Sequence, residues 1–110
     1  MSVEIEAYRA ESGKCPFEDW FSRLPSAHAL KVTVALERIA KGHTSQLKPV
    51  GAGVSEWRID WGPGLRVYVG FDGPKLVILL GGGSKVRQQK DIAEAIESWA
   101  GYLRRKRAKG

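Results

Sequence analysis

Glu56-Trp57-Arg58-Ile59-Asp60-Trp61-Gly62-Pro63-Gly64-Leu65-Arg66-Val67-Tyr68 reads as two alternating segments joined by a Gly-Pro-Gly turn. Side chains on a strand alternate between faces, so Arg58 and Asp60 share one face of the first segment, and Arg66 and Tyr68 share one face of the second. Trp57, Ile59, Val67 and Val69 occupy the opposite, core-directed face. The hairpin is expected to present its polar side chains on an exposed face, where the guanidinium groups of Arg58 and Arg66 can converge on one phosphate.

Outward from this hairpin the periodicity is equally legible. Val54 to Trp61 and Leu65 to Phe71 form its strands, and Lys75 to Leu80 follows as a more uniformly apolar strand after the turn Asp72-Gly73-Pro74. Upstream, Val3, Ile5 and Ala7 alternate with polar neighbours, which predicts a strand over residues 2–9. Residues 10–15 connect to a short helix that starts at Pro16, carries Phe17, Trp20, Phe21 and Leu24 on one face, and stops near Pro25.

Ser26 is positioned to cap a second helix, with Ala29, Val32, Leu36 and Ile39 on one face and Gly42 as its stop. A loop containing His43 and Lys48 leads back to the hairpin. Near the C-terminus, Ile92, Ala95, Ile96, Trp99 and Leu103 line one face of a long helix that runs into Arg104-Arg105-Lys106-Arg107. The order β-α-α-β-β-β-α predicts an α+β domain over residues 1–110, a small, mainly antiparallel sheet packed by helices, with a solvated basic tail at 104–110.

Composition bounds the partners. Eighteen Lys and Arg against twelve Asp and Glu leave a formal charge of +6, which favours a polyanionic partner without choosing one. The single cysteine, Cys15, excludes an internal disulfide, and no Cys/His cluster has zinc-ligand spacing. No apolar run approaches membrane-spanning length, so a cytoplasmic protein with no membrane partner is expected.

Several catalytic signatures are absent: a Ser nucleophile elbow, a phosphate-binding loop, a paired-histidine metal motif and a calcium loop. Gly81-Gly82-Gly83 lacks dinucleotide-binding spacing and reads as a sharp strand-to-helix turn. Cations remain as the candidates. Lys48, Lys85 and Arg87 can reach the same sheet edge as Arg58 and Arg66. Pairing of Arg58 with Asp60 or Glu56 across a solvated face is an equally simple reading of the charges. His28 caps or flanks the second helix, His43 lies in a loop beside the basic region, and Trp61 either stacks on a base or covers the core edge.

Lys48-Pro49-Val50-Gly51, Gly53 to Asp60 and Gly62 to Tyr68 together closely resemble the RelE/HigB-like toxins of type II toxin–antitoxin modules, in particular the phage-derived addiction module killer branch of the RelE/ParE superfamily. Gly13-Lys14, Pro16-Phe17, Trp20, Leu79 to Lys85, Gln89, Asp91-Ile92, Ala95 and Trp99 extend that resemblance over nearly the whole chain. The resemblance implies a microbial RNase-like fold and a metal-independent, cofactor-free endoribonuclease that cleaves mRNA on the ribosome. It also implies catalytic positions at Arg66, Lys85, Arg58, Lys48 and Asp91, and RNA contacts at Arg87, Lys90, His43, Trp61 and Tyr68. The implied partners are the ribosome, mRNA and a cognate helix-turn-helix antitoxin, with operator DNA reached only through the antitoxin complex. A gyrase-poisoning toxin of the ParE type and a basic nucleic-acid- or partner-binding module are the alternatives.

Overall fold

A computed structural model describes residues 2–109. The elements are β1 (Glu4–Ala7), α1 (Pro16–Ser22), α2 (Ser26–Ala40), β2 (Lys48–Gly51), β3 (Val54–Ile59), β4 (Leu65–Phe71), β5 (Leu76–Gly83), a single 3₁₀ turn (Lys85–Arg87) and α3 (Gln88–Lys109). The strands form one sheet in the order β1-β5-β4-β3-β2. Among the described residues only the β1–β5 pair is parallel. The α+β class with a mainly antiparallel sheet is therefore the class the sequence predicts, with β2 as an additional strand. Lys48 thus lies in a strand rather than in a loop, opposite Glu56 of β3.

Local chemistry explains most of the boundaries. Pro16 opens α1, where its missing N–H costs nothing. α2 ends as the glycine stop requires: Gly42 has φ +90°, its N–H bonds to Ile39 O at 2.9 Å, and the His43 N–H reaches back to Arg38 O at 3.0 Å. These are the paired bonds of a Schellman motif. The expected Ser26 cap does not form. Pro25 occupies the capping position, no side chain bonds the first turn, and Ser26 is already helical.

The sheet is buried on both faces, which corrects the expected exposed polar face. Trp57, Val67, Val69, Val77 and Leu79 face α1 and α2, joined by Phe17, Val32 and Ile39. Val54, Tyr68, Ile78 and Leu80 face α3, where Ala95 and Trp99 close over them. The polar alternation of the hairpin predicts a wet face because it reports on two strands alone. Apolar residues of the same parity on β5 give α3 its seat.

Two tryptophans explain two glycines. A Cβ built on Gly70 would lie 2.5 Å from the Trp99 ring, and one on Gly82 would lie 2.2 Å from the Trp20 ring. Each ring therefore packs directly on backbone. Gly81-Gly82-Gly83 is accordingly not a turn but the end of β5, and the chain turns afterwards at Lys85–Arg87. A register shift between Tyr68 and Val69 leaves Leu80 as the extra residue in this part of the ladder.

The basic tail is helical, for α3 continues to Lys109, and its side chains other than Arg105 are exposed. Arg105 donates to Arg9 O at 2.7 Å, and its guanidinium lies 5.6 Å from the Tyr8 ring. Lys106 and the Tyr102 hydroxyl both bond Asp72 in the β4–β5 turn. Those bonds hold the Asp72 carboxyl below its usual range.

Two outcomes follow from this packing. Gly70→Ala forces a methyl into the Trp99 ring and is expected to cost about 1–3 kcal/mol, measured by urea unfolding. The stabilisation from Asp72 is complete above its ordinary carboxyl pKa, about 3.9, and is lost as pH falls through its lowered folded value. Acid titration followed by circular dichroism should therefore show less acid destabilisation for Asp72→Asn than for the wild type.

Candidate functional site

The β3–β4 register sets Arg58 directly opposite Arg66, and Glu56 opposite Tyr68. Like charges in direct cross-strand contact repel. Glu56, at 1% exposure, supplies the counter-charge to both arginines. Its Oε2 accepts from Arg58 Nε at 2.6 Å, and its Oε1 accepts from Gln88 Nε2 at 3.1 Å. Arg66 Nε lies 3.8 Å from the same Oε1, close enough for an ion pair but too far for a hydrogen bond.

The two guanidinium groups have different surroundings. Arg66 is buried, with its Nη1 donating to Gly64 O at 3.1 Å. The Arg58 side chain keeps 44% of its surface, and the hydrogen bond to Glu56 raises its pKa further above the ordinary guanidinium value. Arg58 therefore offers an exposed cation from a fixed position, and Arg66 a buried cation braced against the turn.

The Gly62–Gly64 turn brings a third cation near. A Cβ on Gly64 would lie 3.4 Å from Lys85 Cβ and 3.6 Å from Arg66 Nη1, so Lys85 and Arg66 flank this glycine closely. The Lys85 N–H also reaches Pro63 O at 3.4 Å. The structure thus brings Arg58, Arg66 and Lys85 together around the end of the hairpin. Lys48 is exposed on β2, and its pairing with Glu56 puts it on the same face of the sheet one strand further out.

Asp91 lies beyond Arg66 on the other side. Gly83 is the cross-strand partner of Arg66, and a Cβ there would meet the Asp91 carboxylate at 1.9 Å. Burial raises the Asp91 carboxyl pKa, with Arg87 opposing the shift. Tyr68 lies beneath these groups at 0% exposure, so it does not present its ring at the surface as expected. Its hydroxyl has no hydrogen-bond partner, and burial, reinforced by Glu56 and Asp91, pushes its pKa up to about 12.

The other candidates are dispersed. Arg87 and Lys90 are exposed around the start of α3, near Asp91. His43 is exposed at the close of α2, the helix end that accepts the Val3 N–H at Ala40 O. Trp61 packs against α2, with the His28 ring edge-on at 5.1 Å and Lys31 Nζ at 5.2 Å. It covers the edge of the helical layer. Among the described residues no group of three or more His, Cys, Asp or Glu could hold a metal ion, and no helix is long and apolar enough to cross a membrane.

The sequence offers Glu56 as a partner for Arg58, and that pair forms, with the carboxylate buried rather than on a solvated face. Gln88 carries no such signal, being 32 residues from Glu56 in the chain.

This α+β architecture is that of the RelE toxins. A double arginine-to-alanine mutant of the E. coli toxin RelE, solved in the free state, superposes with a TM-score of 0.59 over 96% of this chain and 98% of that one, at 16% identity. No known family model matches the sequence. An uncharacterized protein of Haemophilus influenzae is 41% identical over 80 residues, covering 72% of this chain and 81% of that protein, and the chain belongs to the same family.

The buried carboxylate makes a clear energetic demand. Glu56→Leu leaves the Arg66 guanidinium buried without its counter-charge, at a cost of about 3–5 kcal/mol. Denaturant unfolding of this variant should show that loss, whereas Arg58→Ala, which leaves Glu56 beside Arg66 and hydrogen-bonded to Gln88, should show a smaller one.

Proposed function

We propose that the protein is the toxin of a type II toxin–antitoxin module, and that it inhibits translation by cleaving mRNA on the ribosome. The observation that carries this reading is the convergence of Arg58, Arg66 and Lys85 at the end of one hairpin, on a fold shared with the E. coli toxin RelE. Lys48, on the same face, adds positive charge at its margin.

In the proposed reaction the ribose 2′-oxygen attacks the adjacent phosphorus, the bond to the 5′-oxygen breaks, and a 2′,3′-cyclic phosphate forms. One proton leaves the 2′-hydroxyl and one reaches the departing 5′-oxygen. The phosphorane-like transition state carries more negative charge on its non-bridging oxygens than the ground state, and fixed cations stabilise that increase. Arg58 and Arg66 suit this role because guanidinium forks bind phosphate oxygens in pairs and stay protonated.

An arginine is for the same reason a poor proton acceptor. In this reading Asp91 takes the 2′-hydroxyl proton. Burial raises its proton affinity above that of an ordinary carboxylate, which makes it the better base of the two kinds of residue. The partners follow from the reading: the ribosome and mRNA as target, and a helix-turn-helix antitoxin that holds the protein inactive, with operator DNA contacted through their complex.

The decisive measurement is primer-extension mapping of mRNA cleavage in a translating extract. Wild type should produce discrete cuts that depend on ribosomes, and Arg58→Ala should reduce their rate about 10²–10³-fold, the usual effect of losing one transition-state donor. Equal cutting by both proteins rejects the arginine assignment. Growth arrest with DNA damage signalling and no cuts identifies a gyrase poison instead.

A further inference from the structure

The parallel strand β1 stops before its neighbour does. Its last paired residue, Ala7, lies opposite Leu79, and the Tyr8 N–H makes the final bond to Leu79 O at 2.9 Å. The chain then leaves the sheet and turns, the Gly13 N–H bonding Ala10 O. β5 continues through Leu80–Gly83 with β4 on one side. On the other side no strand of the described residues pairs with it.

A cleft of about 900 Å³ runs along this open edge. Trp20 and Leu24 of the α1 region form one wall, Ala95, Ser98 and Gly101 of α3 form the other, and Leu80–Ser84 is its floor. Three of those floor residues are glycines, two of them covered on their faces by Trp20 and Asp91, so an entering ligand meets backbone along the strand edge. On the α3 wall the small residues Ala95, Ser98 and Gly101 alternate with the charged Asp91, Glu94, Glu97 and Arg104.

The opposite edge of the sheet is protected by contrast. β2 carries Pro49, an exposed Lys48 and an irregular register between Pro49 and Gly51. Proline, lysine and bulges are devices that discourage strand addition. The Leu80–Gly83 segment has neither proline nor lysine, and its one irregularity, at Leu80, lies in the ladder with β4.

We infer that this cleft binds an extended peptide segment of a partner protein, which adds as a strand beside β5 in the space beyond the end of β1. Four residues in extended conformation span roughly 13 Å, at about 3.3 Å each. Backbone bonds to the floor supply affinity, and alternate side chains fall toward Trp20 and Leu24 or toward Ala95 and Ser98, which selects small and apolar residues. Charge distinguishes a peptide from a nucleic acid here. The four Lys and Arg lining the cleft are matched by four Asp and Glu, although the chain as a whole carries +6. A phosphate backbone gains nothing from a balanced lining, whereas a neutral peptide strand pairs with it without that cost. The cleft meets the proposed catalytic site at one end, through Arg87, Asp91 and Gly83, but strand addition along Leu80–Gly82 does not require the cleavage chemistry.

The test pans phage-displayed random linear octapeptides against the full chain and measures affinities of the enriched peptides by fluorescence anisotropy. Peptides with alternating small or apolar residues should be enriched. Their affinity should fall at least tenfold on Ser98→Trp, which fills the cleft, and should be unchanged on Leu30→Ser, which alters an exposed position on α2. Amide hydrogen exchange on the wild-type protein should slow at residues 80–83 when such a peptide is added. This measurement decides the matter on its own if Ser98→Trp does not fold. Failure to enrich any peptide, protection at other residues only, or protection of residues 80–83 by an oligouridine RNA would overturn the proposal.

Discussion

Glu56 is the charge on which this arrangement depends. The hairpin register makes Arg58 and Arg66 direct cross-strand neighbours, a pairing that repels in isolation. A carboxylate one side-chain step along the same face, bonded to Arg58 and Gln88 and within ion-pair reach of Arg66, converts that repulsion into a fixed cluster. Because Glu56 is buried, its partners are not free to exchange it for water. The result is an exposed guanidinium with a defined position and a buried one braced against the turn.

Burial of that carboxylate is in turn a consequence of α3. The helix lays Ala95 and Trp99 on Val54, Tyr68, Ile78 and Leu80, so the face that carries the polar network is also a core face. Gln88, at the helix start, contributes the hydrogen bond that reaches Glu56. Further along the same helix, Tyr102 and Lys106 grip Asp72 and hold the far end against the β4–β5 turn. Sheet stability and site geometry are therefore set by the same helix, and Gly70 beneath Trp99 lets it come close.

Much of the architecture was legible because it is written in short-range periodicity. The hairpin alternation, Pro16 at the start of α1 and the Gly42 stop each act over a few residues, and each is where the pattern puts it. Ser26 failed as a cap because the preceding proline already sets the helix entry, leaving the serine inside. Lys48 and the triple glycine were misplaced for a related reason. Short polar or glycine-rich segments form strands only when a neighbour supplies hydrogen bonds, and here those neighbours are β3 and β4.

The sequence by itself determined the α+β class, the helices and hairpin, and the presence of two arginines at matched positions across a turn. It could do so because side-chain alternation and turn chemistry are local. Only the tertiary structure decided that Arg66 is buried while Arg58 stays exposed, that Tyr68 is sealed beneath them, and that β1 ends four residues short of β5. Those outcomes depend on where α3 lies and on which strand borders which. Such contacts join residues far apart in the chain, and no periodicity records them.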